Sequence, residues 1–168
     1  MGYKGTRVTT EEASRCEARA TSDNPARFQT FEDLEVYKAS RQFRKAMYAA
    51  SRRLPVFENF ELASQIRRAP VSLTNNIAEG HGRFRYPDQI RFFLQSRGSL
   101  EELIDDLNIC LDESYLSSDE VTALKKQARS VLILLNGYLR HLRSRSAVVR
   151  ESNDQGNESD PLVDGLPL

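Results

Sequence analysis

The chain of 168 residues suits one domain with tails and is long enough to bury a sizeable core. Its 24 basic and 24 acidic residues cancel, so overall charge favours neither a nucleic-acid nor a membrane partner. A hydrophobic fraction of 39% is low and indicates that part of the chain is not folded. Because no run of about 18 apolar residues occurs, we predict no membrane-spanning segment.

The first residues lack the apolar stretch of a secretory signal, and the cysteines fit neither a disulfide nor a metal set. Cys16 lies in a polar segment, whereas Cys110 lies in a helical stripe. We therefore expect a reduced, cytoplasmic setting, and we predict no cofactor and no metal.

Polar segments flank the region with helical periodicity. Residues 1–27 mix small polar and charged side chains and are predicted to be a disordered N-terminal tail. Residues 144–168 are predicted to be a disordered tail that turns acidic at its end. Residues 28–143 remain as the folded domain.

The first two amphipathic segments are separated by a proline. Acidic residues near Phe31 suit a helix N-terminus, and Pro55 ends the first segment. The second segment starts near Glu58 and stops at Gly80, which fits a position that closes a helix. Its apolar stripe, at helical spacing, consists of Ile66, Ala69, Leu73 and Ile77.

The third and fourth segments carry clearer start signals. Pro87 suits the first turn of a helix, and the run from Ser117 to Glu120 is a capping signal. Short connections between four such helices predict an all-α fold, an up-down-up-down antiparallel four-helix bundle. Within it, Pro70 is predicted to kink the second helix, and Gly98 to mark a close approach of another helix backbone.

Charge is unevenly distributed along the chain. Residues 98–124 contain eight acidic and no basic residues, and residues 125–145 contain six basic and no acidic residues. The acidic stretch could complement basic neighbours on the same or an adjacent subunit. Alternatively, the basic faces could contact phosphate backbones.

Polar residues beside the second helix's stripe are the first candidate site. We predict that Arg67, Arg68, Asn76 and Glu79 form a structural polar network, because buried polar groups need partners. For the arginines, contacts between subunits or with phosphate remain alternatives. A catalytic Glu79 is the sharper hypothesis, but no nucleophile, metal set or usable histidine accompanies it. We therefore predict no catalytic residue and no enzyme.

Basic residues at the corner after Gly80 and along the fourth helix are the second candidate site. The corner interleaves arginines with Phe84 and Tyr86, a mixture that can bind nucleic acid or dock on a neighbouring subunit. The predicted partner surface comprises Arg83, Arg85, Lys125, Lys126, Arg129, Arg140 and Arg143.

Three blocks of the sequence, at residues 31–39, 60–80 and 93–103 (the last with Phe93-Leu94), resemble the 23S rRNA intervening-sequence protein family. FEDLEVYKA at residues 31–39 is similar to the family's opening motif. The central signature is matched by FELASQIRRA at 60–69, VSL at 71–73 and NIAEG at 76–80, and the third-helix block by GSLEEL at 98–103. Pro70 and Thr74-Asn75 depart from the family pattern, and the tails are additional.

The resemblance implies a non-enzymatic helical bundle that assembles into a ring, typically a homopentamer. Some members are encoded inside intervening sequences of 23S rRNA genes, which suggests RNA or DNA as a partner. A related group serves as the accessory subunit of a reverse transcriptase, so a protein partner is the alternative.

Overall fold

A computed structural model describes residues 30–157, with side chains described for residues 30–150. Two short 3-10 helices, Phe31–Asp33 and Val56–Phe60, precede the first and second long helices. The long helices are α1 (Glu35–Ser51), α2 (Leu62–His81), α3 (Tyr86–Asp112) and α4 (Ser118–Asn157). Residues 30–157 contain no strand, so the predicted all-α, four-helix fold is confirmed.

Local hydrogen bonds explain where two of these elements begin. Thr30 and Asp33 form a capping box at the start of the first 3-10 helix. At the start of α4, the Glu120 carboxylate accepts hydrogen bonds from the backbone N–H and the hydroxyl of Ser117, at 3.0 and 2.8 Å. Hydrogen bonds from Arg53 and Ser117 lower the pKa of Glu120 to about 2. The predicted capping signal therefore also links α4 to the end of α1.

The four helices surround one core. α1 packs against α2 and α4, and α3 also packs against α2 and α4, so α1 and α3 lie diagonally opposite each other. α2 and α3 are antiparallel, because Gly80 faces Phe93 whereas Leu73, earlier in α2, bonds Ser96, later in α3. Fully buried side chains fill the centre: Phe43, Phe93, Met47, Ile66, Leu73, Ile77, Leu100, Leu103, Leu107 and Leu135.

Serine hydroxyls fix the register between α2 and α3. The Ser96 hydroxyl donates to the Leu73 carbonyl at 2.7 Å, and the Ser99 hydroxyl bonds the Ser72 hydroxyl at 2.9 Å. Small side chains let the two helices approach closely while satisfying these buried polar groups.

Gly80 shows how tightly the helices pack. A Cβ atom at this position would lie 2.9 Å from Phe93 Cδ2 and 3.1 Å from Phe92 Cβ. We expect Gly80→Ala to lower the free energy of unfolding by about 1–3 kcal/mol, because an added methyl group must displace a packed ring. Urea unfolding of the purified chain would measure this change.

Gly98 provides the matched control and corrects a prediction. No atom lies within 4 Å of a Cβ atom built there, so the predicted close approach of another helix is wrong within the described chain. Gly98→Ala is expected to raise the free energy of unfolding by about 0.5–1 kcal/mol, through helix propensity alone. Equal effects of the two substitutions would contradict the packing described for Gly80.

α4 extends further than the sequence predicted. It continues past Arg143 to Asn157, so residues 144–157 are helical where a disordered tail was expected. Its last buried core residue is Leu142, and residues 143–150 are exposed apart from the half-buried Ser146. The first tail and residues 158–168 lie outside the described residues. None of the described helices has the length and hydrophobicity needed to cross a membrane.

Candidate functional site

Asn76 extends the serine hydrogen bonds that join α2 to α3. Its side-chain amide donates to the Ser72 hydroxyl at 3.2 Å, and Ser72 is the partner of Ser99. Buried serines were not singled out in the sequence, because a serine in an apolar stripe reveals no partner by itself. Polar contacts therefore do fix the register of α2 and α3. They are made by Ser72, Ser99 and Asn76, and of these only Asn76 belonged to the predicted network.

Glu79 lies on the surface with a different partner from those predicted. Its carboxylate forms an ion pair with Arg83, one helical turn later, and both side chains are about half exposed. Glu79 therefore bonds neither Arg67 nor Arg68, and the expected four-residue network is replaced by separate contacts.

The two adjacent arginines of α2 point to different surroundings. Arg67 Nη2 donates to the carbonyl of Asn59 at 2.7 Å, which ties α2 to the preceding 3-10 helix. Arg68 lines a cavity of about 520 Å³ between α2 and α3, together with Glu102, Asp105 and Asp106. Among the described side chains, Arg68 forms no hydrogen bond or ion pair.

Asp106 is the most unusual titratable residue of the described chain. It is 6% exposed, and its Oδ2 atom is buried without a hydrogen-bond partner among the described residues. Burial, followed by the charges of Asp105 and Glu102, raises its pKa from 3.8 to about 6. In the sequence, Asp106 is one of several acidic residues in a row, and its burial was not predicted.

The predicted partner surface divides into engaged and unengaged cations. Arg83 pairs with Glu79, and Lys125 Nζ donates to the side-chain oxygen of Asn108 at 2.5 Å. Arg85 is exposed next to the start of α3. Four exposed cations of the predicted surface lie on α4 without an ion-pair partner among the described residues, and we call them the α4 basic stripe: Lys126, Arg129, Arg140 and Arg143.

No ion pair among the described side chains joins the acidic half of α3 to the basic half of α4. The ion pairs of the described side chains are Lys38–Glu35, Arg53–Glu120, Arg83–Glu79 and Arg97–Glu101. The two helices are nevertheless neighbours. Within the described chain, Arg53 and Arg97 pair with two carboxylates of the acidic stretch, so its complementation by basic neighbours of the same chain is partial. Complementation on an adjacent subunit stays a prediction.

An exposed apolar segment was also missed as a surface feature. Val56, Phe57 and Phe60, which we call the apolar turn, are 82%, 72% and 93% exposed in the connection between α1 and α2. The exposure of these residues was not predicted, because the spacing of apolar residues alone does not show which of them remain outside the core. Clustered exposed apolar groups commonly mark contacts with another molecule.

These features define an all-α protein, a four-helix bundle with a serine-fixed helix pair and unevenly distributed charge. The family model described as 23S rRNA-intervening sequence protein matches residues 32–137. The chain belongs to this family, which confirms the resemblance inferred from the three sequence blocks. No curated protein matches the chain.

Proposed function

We propose that the chain is a non-enzymatic binding module that contacts RNA through the α4 basic stripe and assembles with copies of itself. The observation that carries the RNA part is the set of four exposed cations without ion-pair partners among the described residues. The name of the family refers to 23S rRNA, which favours RNA over other polyanions.

The dimensions of the stripe suit an extended polyanion. The cations form two pairs, Lys126 with Arg129 and Arg140 with Arg143, about 16 Å apart along the helix at 1.5 Å per residue. They therefore suit two separate phosphate groups of one extended strand. No acidic residue occurs between Lys125 and Arg150, so nothing within that segment repels a phosphate backbone.

The apolar turn supports self-association. Three large apolar side chains in water are costly to leave exposed, and a second copy of the chain can cover them. Repetition of such a contact around a closed ring gives the homo-oligomer, a pentamer, expected from the resemblance.

An RNA-binding measurement tests the first part. We expect the replacement of Lys126, Arg129, Arg140 and Arg143 by Gln to lower RNA affinity and to reduce the slope of log K against log salt by about 3. Fluorescence anisotropy with a labelled RNA at several salt concentrations gives both quantities. The matched control replaces four cations outside the predicted partner surface by Gln, namely the ion-paired Lys38, Arg53 and Arg97 and the exposed Arg91. RNA binding that is absent or insensitive to salt would refute this part.

A mass measurement tests the second part. Light scattering is expected to report a multimer for the wild type and a smaller species for the variant Phe57→Ser with Phe60→Ser. The exposed Ile133→Ser on α4 serves as the control for loss of an exposed apolar side chain outside the apolar turn. A wild-type monomer at micromolar concentration would contradict self-association and leave the RNA part standing.

A protein partner, such as a reverse transcriptase, is the second candidate function. The acidic half of α3 favours it, since Glu101, Glu102 and Asp105 are exposed and would attract a basic protein surface but repel RNA. The enzyme hypothesis has less support, because Glu79 is held by Arg83 at the surface. A reverse transcriptase gene beside this gene would favour the protein partner.

A further inference from the structure

A groove runs along α1 and α2, and its lining contains no residue of α4. It consists of two cavities, of about 530 Å³ and about 350 Å³, that share Tyr48 in their linings. Tyr48 is half-buried. The basic residues of this α1–α2 groove are Arg44, Lys45, Arg52, Arg67 and Arg68.

No carboxylate lines either cavity. Arg68 also lines the cavity between α2 and α3 with Glu102, Asp105 and Asp106, so the positive charge that faces no carboxylate is that of the other four cations. α1 contains one acidic residue, Glu35. It lies in the first turn of the helix and pairs with Lys38. α2 also contains one acidic residue, Glu79, which pairs with Arg83. Arg44, Lys45, Arg52 and Arg67 therefore suit an anionic ligand with several charges, and Arg68 lies at the edge of the groove, where it also borders the acidic cavity.

Two of the arginines are held in place by neutral groups. Arg44 Nη1 donates to the Thr74 hydroxyl at 2.8 Å, and Thr74 Oγ1 lies 3.2 Å from the carbonyl oxygen of Pro70. Arg67 Nη2 donates to the Asn59 carbonyl at 2.7 Å. A guanidinium has five N–H donors, so each side chain keeps donors for phosphate oxygens and loses little freedom on binding.

Aromatic and amide groups accompany the cations. Tyr48 contributes to both cavities, where its ring offers a surface for a base, and the exposed Asn75 offers an amide for a base edge. A single strand can present unstacked bases to such groups, whereas a duplex keeps its bases stacked inside. Phosphate alone would leave the aromatic and amide groups unused.

We propose that the α1–α2 groove binds a segment of single-stranded nucleic acid, with phosphates on its arginines and a base stacked on Tyr48. The inference rests on the proposed RNA binding and adds a second site that selects unpaired strands. Single-stranded RNA and DNA share the required phosphate and base chemistry, so both are probes.

The test compares a labelled 12-nucleotide RNA, the DNA of the same sequence, and an RNA duplex. Tyr48→Leu is expected to weaken single-strand binding about tenfold, to leave the salt slope unchanged, and to spare duplex binding. The triple variant Lys45→Gln, Arg52→Gln and Arg68→Gln is expected to reduce the salt slope by about 2. These three side chains are exposed, so the triple variant is expected to fold. Equal affinity for RNA and DNA supports the groove as a single-strand site. A preference for RNA over DNA also supports it, and in addition identifies RNA as the ligand.

The matched control replaces three ion-paired cations, Lys38, Arg53 and Arg97, by Gln, with the same change in charge. Ultraviolet crosslinking of a 4-thiouridine strand is expected to label the peptide that contains Tyr48. Wild-type binding that survives Tyr48→Leu, together with a groove triple that behaves like the control, would overturn the groove and leave the α4 stripe standing. A wild type without salt-sensitive RNA binding would instead overturn the proposed function.

Discussion

Phe93→Ala is expected to lower the free energy of unfolding by about 3–5 kcal/mol, the largest effect of any substitution proposed for this chain. Phe93 is fully buried in α3, packs against Gly80 of α2, and stacks on Tyr138 of α4 with ring centroids 4.4 Å apart. Alanine would leave a cavity where three helices meet, and the fixed serine contacts would limit its collapse.

Chemical unfolding followed by circular dichroism measures the effect of Phe93→Ala. The control is Phe84→Ala, which deletes the same atoms from a ring that is fully exposed in the corner between α2 and α3. Its effect is expected to stay within about 0.5 kcal/mol, since surface substitutions away from the core change stability little. Similar losses for both variants would contradict the assignment of Phe93 to the core.

Asp106→Asn is expected to stabilise the protein at pH 8, by on the order of 2 kcal/mol, and to have little effect near pH 4. The folded-state pKa of Asp106 is about 6, above the ordinary value of 3.8, because the carboxyl is buried near Asp105 and Glu102. As pH rises from about 4 to about 6, the unfolded chain ionises more readily than the folded one, so stability falls. Above both pKa values, the loss of stability caused by the ionised Asp106 carboxylate is constant. Asparagine cannot ionise, so the variant avoids this loss.

Urea unfolding at pH 4, 6 and 8 checks the sign of this effect. Asp105→Asn is the control, because Asp105 is the exposed neighbour of Asp106 and carries the same charge. We expect the control to show a smaller gain, through weaker repulsion of the Asp106 carboxylate. Destabilisation by Asp106→Asn at pH 8 would mean that the buried carboxylate has a stabilising partner in the folded state.

Much of the fold could be predicted from the sequence because its signals are local and periodic. The stripe through Ile66, Leu73 and Ile77 is buried as expected, and the capping residues Ser117 and Glu120 bond each other. Helix ends were less predictable. The polar composition after Arg143 resembles a tail, but arginine and alanine also favour helix, and α4 continues through that segment.

The candidate sites were predicted less well, because their contacts join residues that are distant in sequence. The α2 stripe places Asn76 near the core. Spacing within α2 does not reveal that Asn76 donates a hydrogen bond to Ser72, or that Ser72 bonds Ser99 of α3. Arg67 bonds a backbone carbonyl, which any residue supplies and no sequence pattern marks. Arg44, Lys45 and Tyr48 do recur on one face of α1, so that spacing was the available signal for the groove.

The diagonal arrangement of α1 and α3 gives this chain an electric dipole across the helix axes. The acidic half of α3 lies opposite the basic α1, although the total charge is zero. Because its total charge is zero, the protein experiences little net electrostatic force from a distant polyanion. Its dipole instead experiences a torque that turns the basic side toward the polyanion. With a screening length of about 10 Å at 0.1 M salt, the torque acts only near contact. Ionic strength therefore controls the orientation of each encounter more than its frequency.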